Sequence, residues 1–176
     1  MANREALREL QTRLARRLQA AKAEGLSTSW LAVRAGGGNY LFPLAHSGEI
    51  FPLANLQAVP YVRPWFRGVV NLRGGLYGVI DLSGFVNNAA PAARTDLSVS
   101  EARVITLNGS LEVNCALLVD ALAGLRNADA FSGTTAPPAD APSYFGNCYC
   151  EPDGVQWQEI NLQALSRFSG FLSVGV

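Results

Sequence analysis

The feature that most constrains this fold is the shortness of its apolar runs. After residue 27 these runs are separated by Gly, Asn or Pro, and three separators stand between paired runs: residues 36–38, 73–75 and 108–109. Alternation of this kind is typical of β-hairpins. At Asn108–Gly109 it predicts a two-residue type I′ turn, because both residue types tolerate positive φ.

The remaining runs extend this pattern into a mainly β chain. The predicted strands are listed here by number: 30–34, 40–42, 49–51, 53–56, 68–72, 76–80, 102–107, 111–119, 144–151 and 155–160. Residues 84–100 and 132–143 are rich in turn-forming residues and are expected to be loops, the former mobile. The rarity of βαβ alternation favours an all-β barrel or sandwich. We assign the helices to the two ends of the chain, with a short closing helix around Leu162, Leu165 and Phe168.

The first 25 residues predict an amphipathic helix that ends near Gly25. They carry six basic and three acidic side chains, whereas the rest of the chain carries eight and eleven. The apolar residues that share one helical stripe are Leu7, Leu10, Leu14, Leu18 and Ala21. This stripe could pack on the chain's own domain, or the helix could dock on a partner; its narrowness and lack of aromatic residues disfavour a membrane contact.

Composition and charge exclude several classes of function. The formal net charge is zero, which disfavours nucleic-acid binding because such binding rests on clustered Lys and Arg. No apolar run approaches the roughly 20 residues that span a bilayer. The first ten residues lack the apolar core of a signal peptide, so we expect a cytoplasmic protein with reduced cysteines.

The residues that could carry out catalysis or hold a metal are scarce. His46 is the single histidine, and the chain has neither a nucleophile elbow nor a phosphate-binding loop. Cys148 and Cys150 lack zinc-site spacing, so they and Cys115 are interpreted as small apolar residues. The scattered aspartates at strand ends, Asp81, Asp120 and Asp129, are expected to bond turn amides. The sequence therefore predicts no catalytic residue, no metal and no cofactor.

The most informative stretch runs from Val59 to Gly75 and combines aromatic residues, prolines and arginines. Arg73 would stand at a hairpin apex beside two glycines, where its guanidinium could bind a partner's carboxylate or carbonyl, or could simply be solvated. Trp65 and Arg67 precede it, and both residue types are enriched at binding hot spots.

At this stretch the sequence resembles the CheW-like adaptor family of bacterial chemosensory systems. The residues that carry the resemblance are Val59-Pro60, Gly68-Val-Val-Asn-Leu-Arg-Gly74 and Val79-Ile-Asp-Leu82. The basic N-terminal segment and the Arg-Pro-Trp-Phe run look most like the PilI-type member used in twitching motility. Gly78 stands where the family usually has proline, and Ser47 stands where an apolar residue is common.

The resemblance implies two intertwined five-stranded barrels, each similar to an SH3 domain, and no enzymatic activity. It divides the chain into an N-terminal helix (residues 1–27) and a CheW-like domain (28–176). It implies an adaptor between a CheA-type histidine kinase and the cytoplasmic tip of a methyl-accepting chemoreceptor, recruited to membrane-attached arrays without inserting into the membrane.

The resemblance also assigns roles to individual residues. Arg73 matches an arginine needed for adaptor function, Gly68 a glycine whose small size the strand tolerates, and Glu49 an acidic position implicated in receptor binding. The complete set of expected protein-binding residues is Arg73, Asn71, Gly68, Gly74, Glu49, Trp65 and Arg67. The competing interpretation is a small β-barrel module that binds a ligand or an oligonucleotide through its aromatic residues.

Overall fold

The computed structural model describes residues 9, 11–16 and 29–176, and in this part the chain is mainly β. The described residues form eleven strands, which confirms the prediction of a mainly β fold. Their bounds are β1 Ser29–Ala35, β2 Gly38–Pro43, β3 Ser47–Pro52, β4 Phe66–Leu72, β5 Gly75–Asp81, β6 Arg103–Leu107, β7 Cys115–Val119, β8 Ala121–Asn127, β9 Gly133–Thr135, β10 Phe145–Cys150 and β11 Gln156–Ile160.

The strands form two sheets between which the chain crosses twice. Strands β1 and β2 begin a six-stranded sheet of order β8-β1-β2-β11-β10-β9, and β8 to β11 complete it. The intervening strands form a five-stranded sheet of order β3-β6-β7-β5-β4. The parallel pairs are β2 with β11 and β5 with β7. The two units are thus interleaved along the chain, and one of them has six strands instead of the expected five because β9 adds an edge strand. Closure of each sheet into a barrel stays a prediction.

Apolar side chains pack in three clusters. The largest contains residues of both sheets and of the closing helices, including Phe42, Ile80 and Phe171, and it joins the two sheets. A second cluster, around Val70 and Leu118, belongs to the five-stranded sheet. The third surrounds Trp30 and belongs to the six-stranded sheet. Strands such as β1 and β7 are therefore buried on both faces, whereas β3, β8 and β9 are largely exposed.

Two of the three predicted hairpins are confirmed, and the third has a different turn. β1 pairs with β2 and β4 pairs with β5 across the expected glycine turns. β6 also pairs with β7, but the type I′ turn at Asn108 is wrong, because Asn108 has a φ of −59°. Its side chain accepts a hydrogen bond from the Ser110 amide and starts a short 3-10 turn, Gly109–Leu111, so β7 begins later than predicted.

The prediction that helices lie only at the chain ends is wrong. The described part of the chain contains α1 (Leu82–Asn87), α2 (Asp96–Glu101), α3 (Leu162–Arg167) and α4 (Ser169–Leu172). The first two lie within the segment expected to be a loop. Side-chain caps explain them, since Asp81 accepts from the Gly84 amide and Thr95 accepts from the Ser98 amide. β9 likewise occupies part of the predicted loop 132–143. The prediction of a strand at 53–56 is wrong, because β3 ends at Pro52 and these residues belong to no strand.

Of the predicted N-terminal helix, residues 11–16 are helical and exposed, including Leu14. The rest of that prediction, including the expected end near Gly25 and the remaining stripe leucines, lies outside the described residues. The closing helix predicted from Leu162, Leu165 and Phe168 is present as α3, and Leu162 and Leu165 are fully buried.

Candidate functional site

Arg73 and Glu49, which the sequence left unconnected, form an ion pair on the surface. Arg73 lies in the β4–β5 turn with a φ of 48°, and its Nε lies 3.1 Å from Oε2 of Glu49. The Arg73 side chain is 76% exposed and that of Glu49 is 55% exposed. This exposure is expected for an arginine in a hairpin turn. Most N–H donors of its guanidinium face solvent and are available to bind another molecule.

This pair joins the two edges of the five-stranded sheet, since β3 carries Glu49 and β4 leads into the turn that carries Arg73. The Arg73 guanidinium carbon also lies 6.0 Å from the centre of the Phe51 ring. A shallow groove surrounds the pair, and Gly48, Leu72, Tyr77, Thr106 and Asn108 complete its wall. We call the surface formed by Arg73, Glu49 and Phe51 the ion-pair face.

The neighbouring motif residues shape the turn that presents Arg73. The Asn71 side chain accepts a hydrogen bond of 3.0 Å from the Gly74 amide, and Gly74 has a φ of +81° that favours glycine. Asn71 is exposed, whereas Val70 and Leu72 are buried, as strand alternation predicts. Asn71 and Gly74 therefore fix the conformation of the turn at Arg73.

Gly68 is buried and has a role that the resemblance did not indicate. It has a φ of +127°, and a Cβ there would lie 2.3 Å from the Gln57 carbonyl oxygen. Gln57 and Val69 exchange two backbone hydrogen bonds of 2.8 and 2.9 Å. The strand does not merely tolerate glycine at this position; the close approach of the segment after β3 requires it.

Trp65 and Arg67 lie at the opposite end of β4 from Arg73. Trp65, expected as a protein-binding residue, is 3% exposed, packs edge-on against Phe85 and forms part of the floor of a groove. Arg67 is exposed. β4 thus separates Arg67 from the ion-pair face, and the structure does not bring all the expected binding residues together.

The residue that sequence reasoning missed is Arg94. Its Nη2 lies 2.8 Å from both Asp81 Oδ2 and Asp120 Oδ1, and Asp120 Oδ2 also accepts from the Gly36 amide. Burial alone would lower the pKa of Arg94, but the two carboxylates outweigh burial and raise it. Asp120 bonds a turn amide as predicted, whereas Asp81 caps α1, and Arg94 brings these two aspartates together. Nothing in the spacing of Arg94 indicated this.

Gly78, which departs from the family pattern, is fully integrated into its sheet. It pairs with Val69 of β4 and Cys115 of β7, and its amide donates a 3.0 Å hydrogen bond to the Asn114 carbonyl. Proline has no amide hydrogen and could not make that bond. Ser47, the other departure, donates its hydroxyl to the Pro43 carbonyl.

The cysteines fit the interpretation as small apolar residues. All three are free, and burial raises the pKa of the Cys115 thiol to about 11. The pKa of the Cys148 thiol is also raised, mainly by burial and to a lesser extent by the charge of the neighbouring Cys150. In the described residues no three His, Cys, Asp or Glu side chains are grouped to hold a metal ion. No helix within the same described ranges is long and apolar enough to cross a membrane.

Known proteins resemble this chain in sequence and in fold. The family model described as the CheW-like domain matches residues 29–168. The chain is 31% identical over 169 residues to Protein PilI of Pseudomonas aeruginosa, covering 93% of this chain and 89% of that one. This match supports the resemblance to the PilI type. In fold, the chain resembles the scaffolding protein TtCheW of Thermoanaerobacter tengcongensis, with a TM-score of 0.60, 16% identity and coverage of 76% of this chain and 88% of that one. The chain belongs to the CheW-like domain family.

Proposed function

We propose that this protein is a non-enzymatic adaptor that couples a methyl-accepting chemoreceptor to a CheA-type histidine kinase. We further propose that it acts in the pathway controlling type IV pilus (twitching) motility, at receptor arrays on the cytoplasmic side of the membrane. Membership of the CheW-like family and the similarity to Protein PilI support this proposal. The scaffolding protein with a related fold supports a binding role in place of catalysis.

The single observation that carries the proposal is the ion-pair face. Glu49 is the position that the resemblance links to receptor binding, and it is paired with Arg73, the motif arginine. The two residues therefore act as one surface, and this surface binds the receptor tip. Because both side chains are largely exposed, their mutual attraction is screened by water and is readily exchanged for contacts with a partner.

The test is a charge-exchange series measured with a purified cytoplasmic fragment of the cognate receptor. Arg73→Glu and Glu49→Arg should each weaken receptor binding about tenfold or more, while shifting unfolding free energy by less than about 1 kcal/mol. The double variant Arg73→Glu/Glu49→Arg restores an internal pair in reversed orientation. If the receptor needs a positive charge at position 73 and a negative charge at position 49, this double variant should still bind the receptor poorly. Receptor binding at wild-type strength by both single variants would refute the role of this face.

A further inference from the structure

A second candidate surface lies at the end of β4 remote from Arg73. Tyr61 is 85% exposed and has a φ of 57°. Bulky side chains rarely occupy this backbone region, and strained backbone of this kind clusters where proteins clamp ligands. Because the Tyr61 ring is almost fully exposed to solvent, it contributes little to the stability of the fold.

Two backbone hydrogen bonds hold the strained residue in place. The Val176 amide donates to the Tyr61 carbonyl at 3.1 Å, and the Arg63 amide donates to the Val174 carbonyl at 2.8 Å. Val62 forms a β-bridge with Gly175 between them. The segment that presents Tyr61 is therefore ordered before any partner arrives, which lowers the entropy lost on binding.

A groove with an aromatic lining begins at Arg63, two residues after Tyr61. Arg63 stands at its rim, and its lining includes Trp65, Phe85, Tyr144 and Phe168. Trp65, Phe85 and Tyr144 are buried and form a fixed apolar floor. An exposed tyrosine and arginine beside an apolar groove have the composition of a binding hot spot, in which a partner's apolar side chain enters the groove.

The charge of this region selects an acidic partner. Residues 50–80 contain Arg63, Arg67 and Arg73 and no Asp or Glu, and residues 160–176 contain Arg167 and no Asp or Glu. The seven residues of β4 separate the ends of the strand by roughly 20 Å at about 3.3 Å per residue. Arg63, which precedes β4, therefore lies beyond the opposite end of the strand from Arg73.

We infer that Tyr61, Arg63 and the adjoining groove, together the Tyr61 face, bind an acidic surface of the histidine kinase that carries an exposed apolar side chain. This inference rests on the proposed function, because a coupling adaptor needs one face for the receptor and another for the kinase. The Tyr61 ring and the groove supply apolar contact, and Arg63 pairs with a carboxylate of the kinase.

The experiment measures binding of the full chain to the purified cognate kinase and, in parallel, to the receptor fragment. Tyr61→Gly removes the ring and relieves the positive φ, so the thermal midpoint should not fall. Kinase affinity should drop about tenfold or more with Tyr61→Gly and with Arg63→Glu, while receptor affinity stays unchanged. Wild-type affinity for the kinase should also weaken as salt is raised.

Matched controls come from the six-stranded sheet. Leu125→Ala removes an exposed apolar side chain and Arg34→Glu reverses an exposed arginine, and neither should change kinase affinity. Wild-type kinase affinity in both Tyr61→Gly and Arg63→Glu would overturn the inference and leave the proposed function standing. Failure of the wild-type chain to bind the kinase at all would overturn both.

Discussion

At the scale of single residues, two glycines of one motif serve different purposes. Gly68 and Gly74 both have positive φ, but a Cβ at Gly68 would meet the Gln57 backbone, whereas nothing lies within 4 Å of a Cβ at Gly74. Sequence alone marks both as glycines of a hairpin. It cannot separate them, because the obstruction at Gly68 comes from a segment that precedes β4 and reaches it only in the folded chain.

The first prediction follows from this contrast. Gly68→Ala should lower the unfolding free energy by about 2–4 kcal/mol, because backbone must move and the φ is unfavourable for alanine. Gly74→Ala should cost about 1 kcal/mol, since only the conformational preference is lost. Urea unfolding of the two variants measures both values, and equal losses would contradict the assigned close approach.

A second residue-scale prediction concerns Glu159 in β11. Burial raises the pKa of Glu159, and the hydrogen bond donated by the Trp30 indole opposes part of that rise. The folded chain therefore holds this proton more tightly than the unfolded chain does. The resulting stability is fully present below the ordinary carboxyl pKa of about 4.3 and is lost as pH rises through the higher folded pKa.

The measurement compares unfolding free energy with pH in the wild-type chain and in Glu159→Gln. The variant keeps an oxygen acceptor for Trp30 but has no proton to lose. The wild-type curve should decline relative to the variant's curve as pH rises from about 4. Parallel curves would show that Glu159 titrates alike in both states.

At the scale of elements, hairpins were predictable and the middle helices were not. Glycine turns between apolar runs specify β1–β2 and β4–β5 locally, so sequence suffices for them. Asp81 immediately precedes α1, and its carboxylate caps the helix and also binds Arg94. That helix therefore depends on a contact with a residue of the segment that follows it, which no periodicity or turn signal in the sequence reveals.

Arg94 ties together elements of both sheets, which leads to a third prediction. Asp81 ends β5, Asp120 lies between β7 and β8, and Gly36 lies in the β1–β2 turn. Arg94→Met leaves the buried Asp81 carboxylate without its cation, so we expect a loss of about 3–5 kcal/mol in unfolding free energy. Limited proteolysis should also cut residues 88–95 faster. Arg103→Met is the control, because the Arg103 guanidinium bonds only nearby carbonyls in the described structure.

At the scale of the whole molecule, the sequence pattern and the resemblance predicted a mainly β protein with exposed Arg73. The predicted binding set separates into two groups at the ends of β4, and Trp65 belongs to the groove floor. This separation depends on strand direction and on packing between distant segments. Under the proposed function, this separation lets one small domain bind two partners at separate surfaces.

The most direct test of the central claim is co-sedimentation of the purified kinase with membranes that contain the cognate receptor. With the wild-type chain present, the kinase should sediment with the membranes, and without it the kinase should remain in solution. Arg73→Glu should abolish the sedimentation while the fold stays intact, because the ion-pair face no longer binds the receptor. No sedimentation of the kinase with the wild-type chain would contradict the adaptor function, and equal sedimentation with Arg73→Glu would contradict the role of the ion-pair face.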